Sequence, residues 1–240
     1  MTEKDISKKI SEHKDLQEKL SVLALAEKIN PKFKNPNICG GYLRDIILEK
    51  VPSDCDVVFD GYMKNQPDIL ECVREAEKQL EIEPYSGWEF DNFNASGVTG
   101  DVFDDTIGFY SNHTDYLTLI LCDTDSNVRI GSTNTIKCFN ERLYDIRYQG
   151  LMVWMGFRER TYYRSLAGLA CRGIYLCHKL KLNVSESAQS LFEHFDFNYE
   201  KLTDAEKVSL LGYWEKKTKN LEDIQDTLNK FNVKNLKPVI

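Results

Sequence analysis

Histidine is scarce in these 240 residues. His13, His113, His178 and His194 stand far apart, with no pair at metal-ligand spacing. The seven cysteines form no C-x-x-C pair, and their number is odd. Several lie inside apolar runs, where cysteine behaves as a small hydrophobe. These absences exclude a zinc ribbon and a disulfide framework and imply a reducing compartment. No apolar run approaches the roughly 20 residues that span a bilayer. The first residues, MTEKDISKKI, are charged and lack the apolar core of a secretory signal. The expectation is a cytoplasmic protein with no membrane partner. No internal repeat or low-complexity tract is present.

A large basic excess is also missing. The net charge is −7, so the whole molecule is not built as a polyanion binder. The charge is uneven, however. Residues 151–240 carry 14 Lys/Arg against 11 Asp/Glu, whereas residues 1–150 carry 17 against 27. If nucleic acid binds, the back half is the better electrostatic host.

Hydrophobic spacing predicts an amphipathic helix over residues 3–29, closed by Pro31 and Pro36. A short apolar piece at Ile38-Cys39 stops at two glycines, and a helix is expected from Tyr42 to Glu49. Pro52-Ser53 makes a turn, and Cys55 to Asp60 reads as a strand. A helix follows over 67–82. Strands are expected somewhere in 84–114, and Tyr116 to Cys122 reads as a buried strand. Beyond Asn134 the pattern is mostly helical, with helices expected near 158–181, 185–195, 203–218 and 220–232. This divides the chain into a mixed α/β section, 1–150, and a helical section, 151–240.

The densest chemistry lies in Gly40-Gly41-Tyr42-Leu43-Arg44-Asp45 followed by Asp54-Cys55-Asp56. A strand entering Gly-Gly and then a helix lets main chain approach a ligand, because no Cβ intervenes. Amides at the start of a helix favour phosphate. Arg44, one turn on, reaches the same phosphates as a guanidinium fork. Asp54 and Asp56 are two apart at a strand start, so both face one side with backbones roughly 7 Å apart. Such a pair can converge on a hard cation completed by phosphate oxygens.

The stretch ICGGYLRDIILEKVPSDCDVVFDG resembles the signature of the class II CCA-adding enzyme and bacterial poly(A) polymerase nucleotidyltransferases. The Gly pair, Arg44-Asp45, Ile47-Leu48, Pro52, Asp54 and Asp56 all fall in place. Glu49 departs from it, since the family usually has glycine there. A second segment, RSLAGLACRGIYLCHKLKLNVSESAQSLFEHF, resembles the family's neck through Arg172, Lys179-Leu180 and Leu182. Tyr175 stands where the family has a second arginine.

The resemblance implies an α+β fold: a nucleotidyltransferase-type head with a small mixed sheet flanked by helices, then an all-helical neck. It implies Mg²⁺, or Mn²⁺ in its place, on Asp54 and Asp56. It implies an NTP held through Gly40, Gly41, Arg44 and Arg172, with Asp45 orienting Arg44. The acceptor would be a hydroxyl, such as an RNA or tRNA 3′ end. A third carboxylate is normal for this chemistry, on a later strand. The family-like register in DYLTLILCDTD puts it at Thr118, which is no acid. Asp115 is the nearest candidate, and Asp123 and Asp125 read as a polar turn. Glu141, Arg142, Asp145 and Arg147 form a charged stretch like one the family carries after this strand.

Two other readings stay open. The chain is a degenerate member that binds nucleotide, RNA or a partner without turnover, or it is a helical interaction protein carrying a chance motif. Its length, short for a full CCA-adding enzyme, argues against complete CCA synthesis on tRNA.

Overall fold

The computed structural model describes residues 1–60, 66–92, 115–146, 159–219 and 221–236. They form two compact units. One holds the described residues up to 92 together with Leu117–Phe139, and the other holds residues 115–116 and those from 140 onward. His113, Arg147 and any strands within 93–114 lie outside the described residues, as do the side chains of Tyr162 and Tyr163.

In the first unit, the single helix expected over 3–29 is two helices, α1 (Glu3–Ser11) and α2 (Lys14–Ile29). Thr2 and Asp5 cap α1 reciprocally, each side chain accepting the other's amide. His13 restarts the chain, its Nδ1 accepting from the Leu16 amide at 3.3 Å. The sequence carries the cause. Ile6 and Ile10 are four apart, but Leu16 follows after six, which one straight helix cannot keep on one face. Accordingly the first of them packs mainly on the helix Gly41–Ile47, while the second packs on the helix Gln66–Gln79 and the sheet.

Strand β1 (Lys34–Cys39) leads into α3 (Gly41–Ile47), and β2 (Cys55–Asp60) returns antiparallel to β1. Helix α4 (Gln66–Gln79) then crosses over to β3 (Trp88–Asn92), which pairs parallel with β2. The hairpin β4 (Ile120–Asp123) and β5 (Val128–Ile130) completes the sheet in the order β3-β2-β1-β4-β5. The core includes Phe33, whose ring centroid lies 5.0 Å from Phe59 and 6.0 Å from Phe90. The sheet is mixed and flanked by helices, as the sequence implied.

The strand expected over 116–122 needs correction. Tyr116–Thr118 is a short 3-10 turn, and the strand begins only at Ile120. Tyr116 donates its amide to the Asp145 carbonyl instead of to the sheet. Thr118 therefore holds no strand register from which a third ligand could project.

Helix α5 (Thr133–Glu141) leads into the second unit. There a short parallel ladder joins β6 (Leu143–Tyr144) and β7 (Asn183–Val184). Around it stand α6 (Glu159–Leu180), α7 (Glu186–Asn198), α8 (Asp204–Thr218) and α9 (Ile224–Lys230). Its core holds Trp214, Phe192 and Phe231, all fully or nearly fully buried. Gly173 of α6 has a packing reason, since a Cβ there would sit 2.8 Å from the Tyr144 ring and 2.9 Å from Phe192.

Candidate functional site

Strand register builds the site. Cys39, the last residue of β1, is the partner of Asp56, so the glycine pair that follows leaves the sheet next to the start of β2. Neighbouring strands lie about 4.8 Å apart. The glycine half and the aspartate half of the motif, separate in sequence, are thus one strand apart.

The two glycines have different physical reasons. Gly40 has φ 67° and ψ −132°, a conformation that side chains with a Cβ rarely adopt. Gly41 is the first helical residue and needs space instead. A Cβ on it would lie 3.4 Å from Arg44 Nη2 and 3.7 Å from Nη1. The Arg44 guanidinium lies over this bare backbone and is buried, at 5% exposure. Its Nε and Nη2 donate to Asp45 Oδ1 at 2.7 and 2.6 Å, so Asp45 fixes the fork's orientation. Its Nη1 is buried and has no partner. A buried charged donor left unsatisfied costs free energy unless a ligand accepts from it. α3 has only seven residues, so the anion preference here rests on Arg44 and the bare glycines more than on a helix dipole.

Asp54 is exposed and Asp56 half-buried at the start of β2. Ser53 Oγ donates to Asp54 Oδ1 at 2.6 Å. The parallel register adds a residue that sequence reading missed: Glu89 of β3 is the direct partner of Asp56. In-register partners on adjacent strands share a sheet face, so Asp56 and Glu89 lie on one side of the sheet, with Asp54 just before the strand. A signal was present. An alternating apolar-acid run, WEFD, follows a helix that follows β2, and a strand–helix–strand crossover commonly returns beside the first strand.

A buried carboxylate positions the start of β3. Glu77, 1% exposed, accepts from the Tyr85 amide at 3.0 Å, Trp88 Nε1 at 2.9 Å and Arg74 Nη1 at 2.7 Å. Gly87 lets the segment come close, since a Cβ there would meet the Tyr85 hydroxyl at 2.5 Å and the Ser53 carbonyl at 3.0 Å. The Gly87 carbonyl accepts from Cys55 N at 2.7 Å, and the Tyr85 hydroxyl donates to the Ser53 carbonyl at 3.2 Å.

Lys19, on α2, places its Nζ 3.9 Å from the Tyr85 ring centroid and 2.8 Å from Asp15 Oδ1. Burial pushes the Tyr85 phenol up to about 12, with neighbouring negative groups adding to it. Burial works against the Asp15 carboxylate, but hydrogen bonds from Lys19 and Tyr42 outweigh it and hold its pKa below the usual value. A cleft of about 440 Å³ opens here, and five carboxylates line it against the single ammonium of Lys19. That side repels phosphate.

The oxygen-only donor set of Asp54 and Asp56 suits a hard divalent cation completed by substrate oxygens. No group of three or more His, Cys, Asp or Glu among the described residues is arranged to hold a metal ion by itself. Asp115, buried, bridges to Ile146 within the second unit. Asp123 closes the β4–β5 turn, accepting from the amides of Asp125 and Asn127. Asp145 accepts from Ser185 Oγ, the N-cap of α7, at 2.5 Å, and Arg142 Nη2 donates to the Leu180 carbonyl at the end of α6, so the two flanks of β6 are tied to different helices. Arg172 is exposed on α6.

Compared as sequence, the chain matches no family model and no curated protein. Compared as structure, it matches a CCA-adding enzyme in an apo form with a TM-score of 0.63, at 15% identity, over 95% of this chain and 54% of that one. The fold is that of the CCA-adding enzymes. The Thermotoga maritima CCA-adding enzyme complexed with tRNA gives 0.60, at 12% identity, over 95% of this chain and 54% of that one. A tRNA-processing enzyme solved with CTP gives 0.58, at 15% identity, over 88% and 56%. The chain spans little more than half the length of these structures. No helix among the described residues is long and apolar enough to cross a membrane.

The backbone shows what the departure at Glu49 costs. That residue has φ 58°, just past the end of α3, and the Lys50 amide closes back on the Asp45 carbonyl at 2.8 Å. This is the left-handed helix-ending position that glycine fills best.

Proposed function

We propose that the chain is a divalent-metal-dependent nucleotidyltransferase that moves a nucleoside monophosphate from an NTP to a hydroxyl of RNA. One observation carries the reading. A buried guanidinium with a free donor lies over bare glycine backbone, one strand from a paired aspartate edge. Triphosphate binding and metal binding are then adjacent, as phosphoryl chemistry requires.

In this reading Asp54 and Asp56 hold Mg²⁺ or Mn²⁺, and Glu89 takes the part of the third carboxylate that sequence assigned to Asp115. When bound, the metal neutralises triphosphate charge and lowers the pKa of the attacking hydroxyl. Arg44 Nη1 and the amides beside Gly40 and Gly41 hold phosphate oxygens, and Asp45 keeps the fork from rotating. Glu89 accepts the proton of the acceptor hydroxyl. Only the resemblance puts Arg172 on the nucleotide. The neighbours' complexes with CTP and tRNA support an NTP donor and an RNA acceptor.

The test is incubation of the purified protein with each labelled NTP, a divalent metal and an RNA pool. Label enters RNA with wild type, and is lost with Asp54→Ala/Asp56→Ala and strongly reduced with Glu89→Gln. Absence of labelled RNA under every NTP and metal, with unaltered NTP binding in the double variant, rejects the proposal. NTP binding that needs Arg44 but gives no turnover instead identifies a nucleotide-binding module.

A further inference from the structure

Lys19 of α2 is a buried cation that the proposed chemistry does not use. It is only 8% exposed, and lysine is almost never buried unless its charge is paired. Its Nζ donates to Asp15 Oδ1 at 2.8 Å and lies 3.9 Å from the Tyr85 ring centroid and 5.7 Å from that of Tyr42. The two rings belong to different halves of the site. Tyr42 directly follows Gly41, and its hydroxyl donates to the other oxygen of Asp15. Tyr85 donates its hydroxyl to the Ser53 carbonyl at 3.2 Å, and Ser53 Oγ donates to Asp54. Burial pushes the Cys55 thiol well above its usual value and the Lys19 charge opposes this, so the ammonium is felt at the residue between Asp54 and Asp56.

Stability does not account for the arrangement. Asp15 is half-exposed, and a pair four residues apart on a helix adds little. An apolar side chain of similar length would fill the same space with no charge to desolvate. The main chain shows what the ammonium adds. Pairing between β1 and β2 ends at Cys39 and Asp56. Beyond that rung Gly40 N donates to the Ile120 carbonyl of β4, whereas Cys55 N donates to the Gly87 carbonyl before β3. The two halves of the site are thus bonded to opposite neighbours. Lys19, with Asp15 and Tyr85, reaches both.

We propose that Lys19 is a positioning residue that holds the glycine half and the aspartate half of the site at the separation one metal-bound triphosphate needs. Through Asp15 it fixes Tyr42, and with it the turn that carries Gly40, Gly41 and Arg44. Through the Tyr85 ring it fixes the Ser53 carbonyl, and with it Asp54. A shift of about 1 Å between the halves is enough to cost on the order of a hundredfold in rate. The proposal rests on the reading of the two halves as one NTP and metal site and names what keeps them in register.

Titration of a fluorescent NTP analogue with and without Mn²⁺ tests it, with thermal melts on the same preparations. The gain in affinity on adding Mn²⁺ measures how well the halves are coupled, and it is read whether or not label enters RNA. Lys19→Met lowers that gain about tenfold, while affinity without metal stays within about twofold of wild type. Its melting temperature is no lower than that of wild type. Tyr85→Phe, which keeps the ring over Lys19 and loses only the bond to Ser53, lowers the gain as well. Lys19→Arg has room in the adjoining cleft to pair with Asp15 and stack on Tyr85, and keeps it. Lys14→Met removes the same charge from the exposed side of α2 and leaves the gain unchanged. A wild-type protein in which Mn²⁺ adds nothing to NTP affinity overturns the reading of the site, and the proposal falls with it. A wild-type gain that Lys19→Met keeps in full overturns the proposal alone. So does a Lys19→Met protein that loses stability and both affinities together, or an equal loss of the gain in Lys14→Met.

Discussion

Replacing Gly40 and Gly41 by alanine, one at a time, separates two causes that the sequence shows only as Gly-Gly. At Gly40 the backbone has φ 67° and ψ −132°. Holding a Cβ-bearing residue there costs about 1–3 kcal/mol. At Gly41 the backbone is helical, and an added Cβ meets Arg44 Nη2 at 3.4 Å, an ordinary contact. Removing glycine from a helix gains about 0.5–1 kcal/mol. With about 2–4 °C per kcal/mol for a protein of this size, Gly40→Ala lowers the melting temperature of the first unit by about 2–12 °C. Gly41→Ala leaves it unchanged or raises it by a few degrees. NTP binding runs differently. The methyl group that Gly41→Ala adds would lie 3.7 Å from the buried Nη1 and stand in the way of a phosphate approaching it over the bare backbone, and a hydrogen bond to a charged group is worth about 1.5–3 kcal/mol. Gly41→Ala therefore weakens a fluorescent NTP analogue by at least about tenfold without loss of stability. Thermal melts and titrations on the same preparations measure both. Equal stability of the two variants, or wild-type nucleotide affinity in a stable Gly41→Ala protein, refutes the reasoning.

Other perturbations act on named contacts. Glu77→Ala strips acceptors from Trp88 Nε1 and the Tyr85 amide and costs about 3 kcal/mol in urea unfolding followed by tryptophan fluorescence; Glu77→Gln keeps Oε1 and costs about 1 kcal/mol or less. A loss below about 1 kcal/mol for alanine would show that Glu77 does not hold β3. Glu49→Gly relieves a left-handed backbone at φ 58° and raises stability by about 0.5–1 kcal/mol, since the exposed ion pair it gives up with Lys9 is worth little. His178 is buried against Thr227 Oγ1 at 2.6 Å, and burial holds its pKa below the usual 6.5. Its contribution to stability is full above about pH 6.5 and falls as the pH drops toward the lower folded value, because the unfolded chain takes up the proton first. Unfolding of the helical unit at about pH 7.5 and 5.5, on either side of that value, shows this slope, and His178→Gln removes it.

Short-range pattern made much of the fold legible. The 3.6-residue stripe located α4 and α6 to α8 to within a few residues, and the buried run at 55–60 located β2. The break at Glu12–His13 was visible only as a six-residue gap between Ile10 and Leu16, which periodicity averages away. The strand expected at 116–122 failed at its front. An apolar run such as Tyr116-Leu117-Thr118 is compatible with a buried turn or a strand, and only the hydrogen bond from Tyr116 to Asp145 decides between them.

The sequence alone determined the chemistry available at residues 40–56, because the glycine and aspartate spacing is a local property of one strand, one short helix and the next strand. It also determined the uneven charge of the two sections. The tertiary structure decided what those residues face. It brought Glu89 beside Asp56 across a parallel pairing that no local pattern specifies. It buried Arg44 with one donor free, and it drew Lys19 and Tyr85 together from separate segments. Each of these depends on contacts between segments far apart in the chain, and their placement is set by packing rather than by the residues alone.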